Sequence, residues 1–133
     1  MMSKDKQTVL IIMAHGSRKV EANQEFEQLT QRIAQQHHGY AEVKPCFLEL
    51  ASPSLAEAVE QSLCQSYTQF DVYPLFFNQG NHVVNDIPRQ IARLEEQYPA
   101  CTFRRLDYFG RYDQLGNQVL AHIAQQHDST STE

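Results

Sequence analysis

The stretch Thr8-Val9-Leu10-Ile11-Ile12-Met13, running out into Ala14-His15-Gly16-Ser17-Arg18, decides the fold. A continuous apolar run rich in β-branched side chains, bounded by polar residues and a glycine, suits a strand covered on both faces, as in a parallel sheet. Parallel strands need crossover helices, and the rest of the chain supplies them. Ala22, Phe26, Leu29 and Ile33 recur at helical spacing and predict an amphipathic helix that stops at His37-His38-Gly39. A second strand, Ala41 to Leu50, contains Pro45, which places it at a sheet edge. Ser52-Pro53 reads as the start of a helix, with Ser as cap and Pro in the first helical position, and Leu55, Ala58, Val59 and Leu63 form its apolar face. Phe70 to Phe77 is a third strand. Ile87, Ile91, Leu94 and Tyr98 mark a third helix ending before Pro99. Cys101 to Leu106 is a weaker fourth strand, and Leu115, Val119 and Ile123 are expected to face the core from a fourth helix.

Strand–helix alternation of this kind predicts an α/β fold: a four-stranded parallel sheet with helices on both faces, flavodoxin-like, joined by right-handed crossovers. No Pro/Gly/Ser-rich linker interrupts it. Residues 1–127 therefore read as a single domain and 128–133 as a frayed polar tail.

Composition narrows the function classes. The 133 residues are 41% hydrophobic, enough for one core without disulfides. Sixteen acidic against eleven basic residues give a net charge of −5, which argues against a nucleic-acid partner. Cys46, Cys64 and Cys101 form neither a disulfide framework nor a CxxC metal set. No stretch is apolar enough for a membrane span or signal peptide, so the expected location is cytoplasmic. The mean hydropathy of −0.52 owes much to glutamines on solvated helix faces.

In open α/β sheets, ligands bind beyond the carboxyl ends of the strands. Strand one runs out into His15, strand two into Glu49, and strand three into Asn78-Gln79-Gly80-Asn81-His82. His15, Glu49 and His82 thus share one predicted edge, and two imidazoles with a carboxylate suit a borderline divalent ion or proton transfer near neutral pH. Each has a plainer reading: a loop histidine as surface group or cap, a glutamate as partner of a nearby arginine. Gly16 and Gly80 are candidates for positive φ or for close approach to a ligand. Arg18, Lys19, Arg89 and Arg111 read as a basic rim for an anionic substrate or as ordinary surface. His37, His38, His122 and His127 fall in late helical turns, where the helix dipole accounts for them. The chain has no HExxH, GxxxxGK[ST] or GxSxG motif.

Three segments then carry a family resemblance. Ala14-His15-Gly16-Ser17-Arg18, Phe47-Leu48-Glu49 with Pro53 and Leu55, and Pro74 to His82 with Asp86-Ile87-Pro88 resemble the sirohydrochlorin chelatases of the CbiX/SirB group in their short, single-domain form. The resemblance implies a chelatase-like fold and a lyase that inserts Co²⁺ or Fe²⁺, with Ni²⁺ in the same range, into sirohydrochlorin without ATP, for cobalamin or sirohaem. It implies His15 and His82 as the metal pair, His15 as proton acceptor, and Glu49 as a metal or substrate contact. It places Phe77, Asn78, Gln79, Gly80 and Asn81 against the tetrapyrrole. The metal is substrate, and no tightly bound cofactor is expected. A single domain leaves the cleft half-walled, which implies a homodimer with facing strand-end edges. The segment Tyr108-Phe109-Gly110-Arg111-Tyr112 departs from the family's usual Pro-Leu-Gly pattern, and Phe77 stands where leucine is commoner. A non-catalytic carrier of metal or tetrapyrrole is the competing reading. A histidine phosphatase is disfavoured because Ala14, not arginine, precedes His15. A 2-His-1-carboxylate oxygenase is disfavoured because the alternation is not that of a jelly roll.

Overall fold

The computed structural model describes residues 7–131; the side chains at 81, 82 and 129–131 lie outside the described residues. The elements are β1 (Thr8–Ala14), α1 (Val20–Ala34), β2 (Glu42–Phe47), α2 (Leu55–Leu63), β3 (Gln69–Pro74), α3 (Asn81–Gln97), β4 (Thr102–Arg105), a 3₁₀ turn (Phe109–Arg111) and α4 (Leu115–Ser131). The four strands form one sheet in the order β2-β1-β3-β4, and every pair is parallel. The strand containing Pro45 lies at the edge, where a missing N–H donor is tolerated.

Alternation along β1 sends its side chains to two layers. Val9, Ile11 and Met13 join Leu55, Ala58 and Val59 of α2 and Val83, Ile87, Ile91 and Leu94 of α3 in one buried cluster. On the other face α1 covers β2: the Phe26 ring meets Phe47 edge-on at 5.4 Å, and Thr30 is buried with its hydroxyl donating to the Phe26 carbonyl at 3.0 Å. Phe26, Leu29 and Ile33 are half-buried, whereas Ala22 is exposed. Across β3 and β4, buried Asp71 accepts from the Arg104 guanidinium at 3.0 and 2.6 Å and from the Tyr40 hydroxyl at 2.7 Å.

Some boundaries move from their sequence positions. Helix α2 is capped by Ser54, not Ser52. The Ser54 hydroxyl accepts from the Glu57 amide at 3.2 Å while the Glu57 carboxylate accepts from the Ser54 amide at 2.8 Å, a reciprocal capping box. Helix α3 begins at Asn81, a full turn and more before Ile87, and carries Pro88 inside it. The larger correction concerns α4. Leu115 is half-buried, but Val119 and Ile123 are 50% and 44% exposed and Leu120 is 66% exposed, so this helix does not turn an apolar face onto the core. It also continues through Ser131, so the polar segment from Asp128 is helical that far.

Candidate functional site

Register sets the strand ends at one level: Ala14 pairs with Phe47, and Met13 pairs with Pro74. Pairing continues beyond the strands. The Leu48 amide donates to the Ala14 carbonyl at 2.8 Å, and the Glu49 amide donates to the His15 carbonyl at 3.1 Å. On the other side the Leu75 amide donates to the Met13 carbonyl at 2.8 Å. The imidazole of His15 stacks on the buried ring of Phe76, with centroids 4.2 Å apart and planes 26° from parallel. His15 therefore stands between the exits of β2 and β3. The chain leaves β1 toward β2 and later returns to β3 on the other side of β1, so this is the topological switch point of the sheet.

The loop carrying His15 is fixed from several directions. Gly16 has φ +95°, and a Cβ there would lie 1.8 Å from the Glu49 carbonyl oxygen, so only glycine allows the two loops to approach this closely. The Ser17 amide donates to Asn23 Oδ1 at 3.0 Å and its carbonyl accepts from Asn23 Nδ2 at 2.8 Å, tying the loop to the start of α1. From α3, Gln90 Nε2 donates to the Leu48 carbonyl at 3.4 Å.

Of the residues read from sequence, His15 and Glu49 are brought together through backbone pairing, and both side chains are exposed. Asn81 and His82 are the first two residues of α3 after the N-cap Gly80; their side chains lie outside the described residues. Phe77 and Asn78 are exposed and Gln79 is half-buried. Of the two readings offered for Gly80, positive φ does not hold: its φ is −80°, and a Cβ would meet open space. Among the described residues no three His, Cys, Asp or Glu side chains converge as a metal cluster.

The basic rim divides. Arg89 pairs with Asp86 at 3.3 Å, whereas Arg18, Lys19 and Arg111 are exposed. His38 is engaged structurally, its Nδ1 accepting from the Tyr40 amide at 2.9 Å. Burial pushes the Cys46 thiol far above its ordinary pKa and raises Cys101 in the same direction, which keeps both protonated and unsuited to bind metal as thiolates. Sequence reading misses the role of Phe76 as a platform under His15. Phe76 looks like the end of a strand, and only the folded register shows where its ring goes.

Fold and site define an α/β domain with its candidate ligand edge at the switch point of a flavodoxin-like parallel sheet. The chain belongs to the CbiX family, whose sequence profile matches residues 9–126. It is 31% identical over 94 residues to the chloroplastic sirohydrochlorin ferrochelatase of Arabidopsis thaliana, covering 71% of this chain and 41% of that protein. It thus spans about two fifths of that relative's length. A crystal structure of a putative cobalamin biosynthesis CbiX protein from Marinobacter aquaeolei superposes with a TM-score of 0.81 at 29% identity, over 92% of this chain and 98% of that one. The sirohydrochlorin chelatase SirB of Bacillus subtilis subspecies spizizenii, in complex with cobalt, gives 0.76 at 25% identity, over 89% of this chain and 50% of that one.

Proposed function

We propose that this protein is a sirohydrochlorin chelatase, inserting Co²⁺ or Fe²⁺ into the tetrapyrrole without ATP. The observation that carries this reading is the position of His15, stacked on Phe76 at the switch point and backbone-paired to Glu49. Iron and cobalt both occur in the names of the similar proteins, so the reading covers both ions.

Metallation removes two protons from pyrrole nitrogens while the ion sheds earlier ligands. An exposed imidazole on a rigid aromatic support suits both tasks in turn: it holds a borderline ion weakly and, once released, accepts a proton. In this reading His15 and His82 present the ion to one macrocycle face, and Glu49 contacts the ion or the substrate. Phe77, Asn78, Gln79, Gly80 and Asn81 line the tetrapyrrole. Once the ion has passed to the ring, the freed His15 imidazole takes one pyrrole proton and the second goes to solvent.

The reading includes a homodimer, because one such domain walls only half a cleft and α4 leaves Val119, Leu120 and Ile123 exposed. It includes a cytoplasmic location, which suits the free, exposed Cys64 thiol; no helix among the described residues is long and apolar enough to cross a membrane.

The test is anaerobic incubation with sirohydrochlorin and Co²⁺ or Fe²⁺, followed by visible absorption against a protein-free control. Insertion faster than the control, and lost in His15→Ala, is the expected result. Normal rates in both His15→Ala and His82→Ala would refute the proposed metal pair. Tetrapyrrole binding without acceleration by either ion would make the protein a carrier.

A further inference from the structure

The segment Tyr108–Tyr112, which departs from the family's usual Pro-Leu-Gly pattern, folds directly onto the candidate site. The Gly110 amide donates to the Phe76 carbonyl at 2.8 Å. A Cβ at Gly110 would stand 1.7 Å from the Phe77 carbonyl oxygen and 2.5 Å from its carbon, so the loop lies against the exit of β3 with no room for a side chain. The approach brings the Phe109 ring to a centroid distance of 5.9 Å from Phe77, with planes 59° apart. Tyr112 follows at 6.5 Å from Phe109, with planes 23° apart. Three aromatic rings, Phe77, Phe109 and Tyr112, thus follow one another beside the exit of β3.

These rings are not spent on the core. Phe77 is 73% exposed and Tyr112 is 47% exposed, although open aromatic surface is unfavourable in water by about 25 cal/mol per Å². Beside them lies a cleft of about 570 Å³ lined by Tyr73, Asp107, Tyr108, Phe109, Arg111, Tyr112 and Asp113. Among the described residues the Arg111 guanidinium has no hydrogen-bond or ion-pair partner. An exposed aromatic wall with an unpaired guanidinium fits a flat π-system that carries carboxylates at its rim. Asp107 and Asp113 border the same cleft and repel any anion, so the aromatic surface, which a small free anion cannot use, is what favours the π-system.

We infer that Phe109, Arg111 and Tyr112 position the tetrapyrrole: the two rings pack against the macrocycle edge and Arg111 takes a rim carboxylate. The inference rests on the proposed chelatase function and adds the fourth strand's loop to the substrate surface. These are substrate-positioning residues, distant in role from the metal and the proton transfer assigned to His15.

The test uses the full chain in anaerobic steady-state Co²⁺ insertion, varying sirohydrochlorin and Co²⁺ separately, with metal-free sirohydrochlorin binding followed by its visible spectrum. Arg111→Ala and Tyr112→Ala are expected to raise the KM for tetrapyrrole on the order of tenfold, equivalent to the loss of one modest interaction. The kcat and the KM for Co²⁺ should stay within about twofold. Tyr112→Phe should recover most of the loss, because it keeps the ring. An unchanged tetrapyrrole KM in both alanine variants overturns the inference while leaving the chelatase reading intact. So does a shift confined to the metal KM, or a change in oligomeric mass that accounts for the loss. A wild-type protein that neither binds nor metallates sirohydrochlorin removes both.

Discussion

Gly16 and Glu49 meet so closely that the position of a Cβ on the first lies 1.8 Å from the carbonyl oxygen of the second. The contact sets how the loops after β1 and β2 lie together, and with them where His15 and Glu49 begin. Gly16→Ala would require a non-glycine residue at φ +95° as well as displacement of the Glu49 backbone. Strain at such a position costs about 1–3 kcal/mol, and the expected outcome is a lower melting temperature with a larger loss of the proposed metal insertion, since the displaced residues belong to the candidate site. Gly80→Ala serves as comparison. With φ −80° and open space around the added methyl, its melting temperature should stay close to wild type. Equal destabilisation by the two substitutions would contradict this account.

What the sequence discloses follows the range of the forces involved. The β1 run is legible because five consecutive apolar residues, Val9 to Met13, leave a parallel strand as the natural reading. His15 and Glu49 are legible because strand ends are local features and the edge rule needs only the strand assignments. The start of α3 is not: Asn81 to Asp86 is largely polar, Pro88 argues against a continuous helix, and only burial of Val83 and Ile87 in the core fixes the turn before it. Nor is the fate of α4. Its 115/119/123 spacing predicts a helix correctly, but periodicity says only that one side is apolar, not that this chain covers it. The contacts of Phe76 with His15 and of Phe77 with Phe109 join different strand exits, which no local pattern encodes.

The α2 cap makes a pH-dependent prediction. The Ser54 amide, as hydrogen-bond donor, holds Glu57 below its ordinary value against the opposing effect of desolvation, with lesser help from the Ser52 and Ser54 hydroxyls. A carboxylate depressed in the folded state stabilises it above its unfolded pKa, and that stabilisation fades as pH falls through the folded value. Glu57→Ala should therefore lower stability at neutral pH, because it removes the carboxylate that the Ser54 amide holds. The gap to wild type should narrow once the pH drops below the normal glutamate range. Urea denaturation at neutral pH and near pH 3 checks it, and a gap that widens in acid would rule out the capping box as the source.

Leu55 opens the same helix from inside the core, fully buried beside Val59 and the β1 side chains. Leu55→Ala is expected to cost about 2–5 kcal/mol by loss of buried surface and creation of a cavity. Chemical denaturation measures it, and a loss well under 1 kcal/mol would mean that the core repacks around the gap.

Helix α4 separates folding from assembly. Because Val119 and Leu120 are 50% and 66% exposed within one chain, replacing Leu120 with glutamate removes little from the monomer's own stability. In the proposed homodimer the same side chain is available for burial against the second copy, and a charge placed there would have to be desolvated on association. Leu120→Glu should therefore raise the dimer dissociation constant by at least about tenfold, which corresponds to 1.4 kcal/mol. The far-ultraviolet circular dichroism and the melting temperature of the dilute protein should change little. Light scattering across a micromolar concentration series distinguishes the outcomes. A wild-type dimer that Leu120→Glu leaves untouched would take α4 out of the interface and leave the strand-end edges as the facing surfaces. A wild-type monomer throughout the series would exclude the dimer.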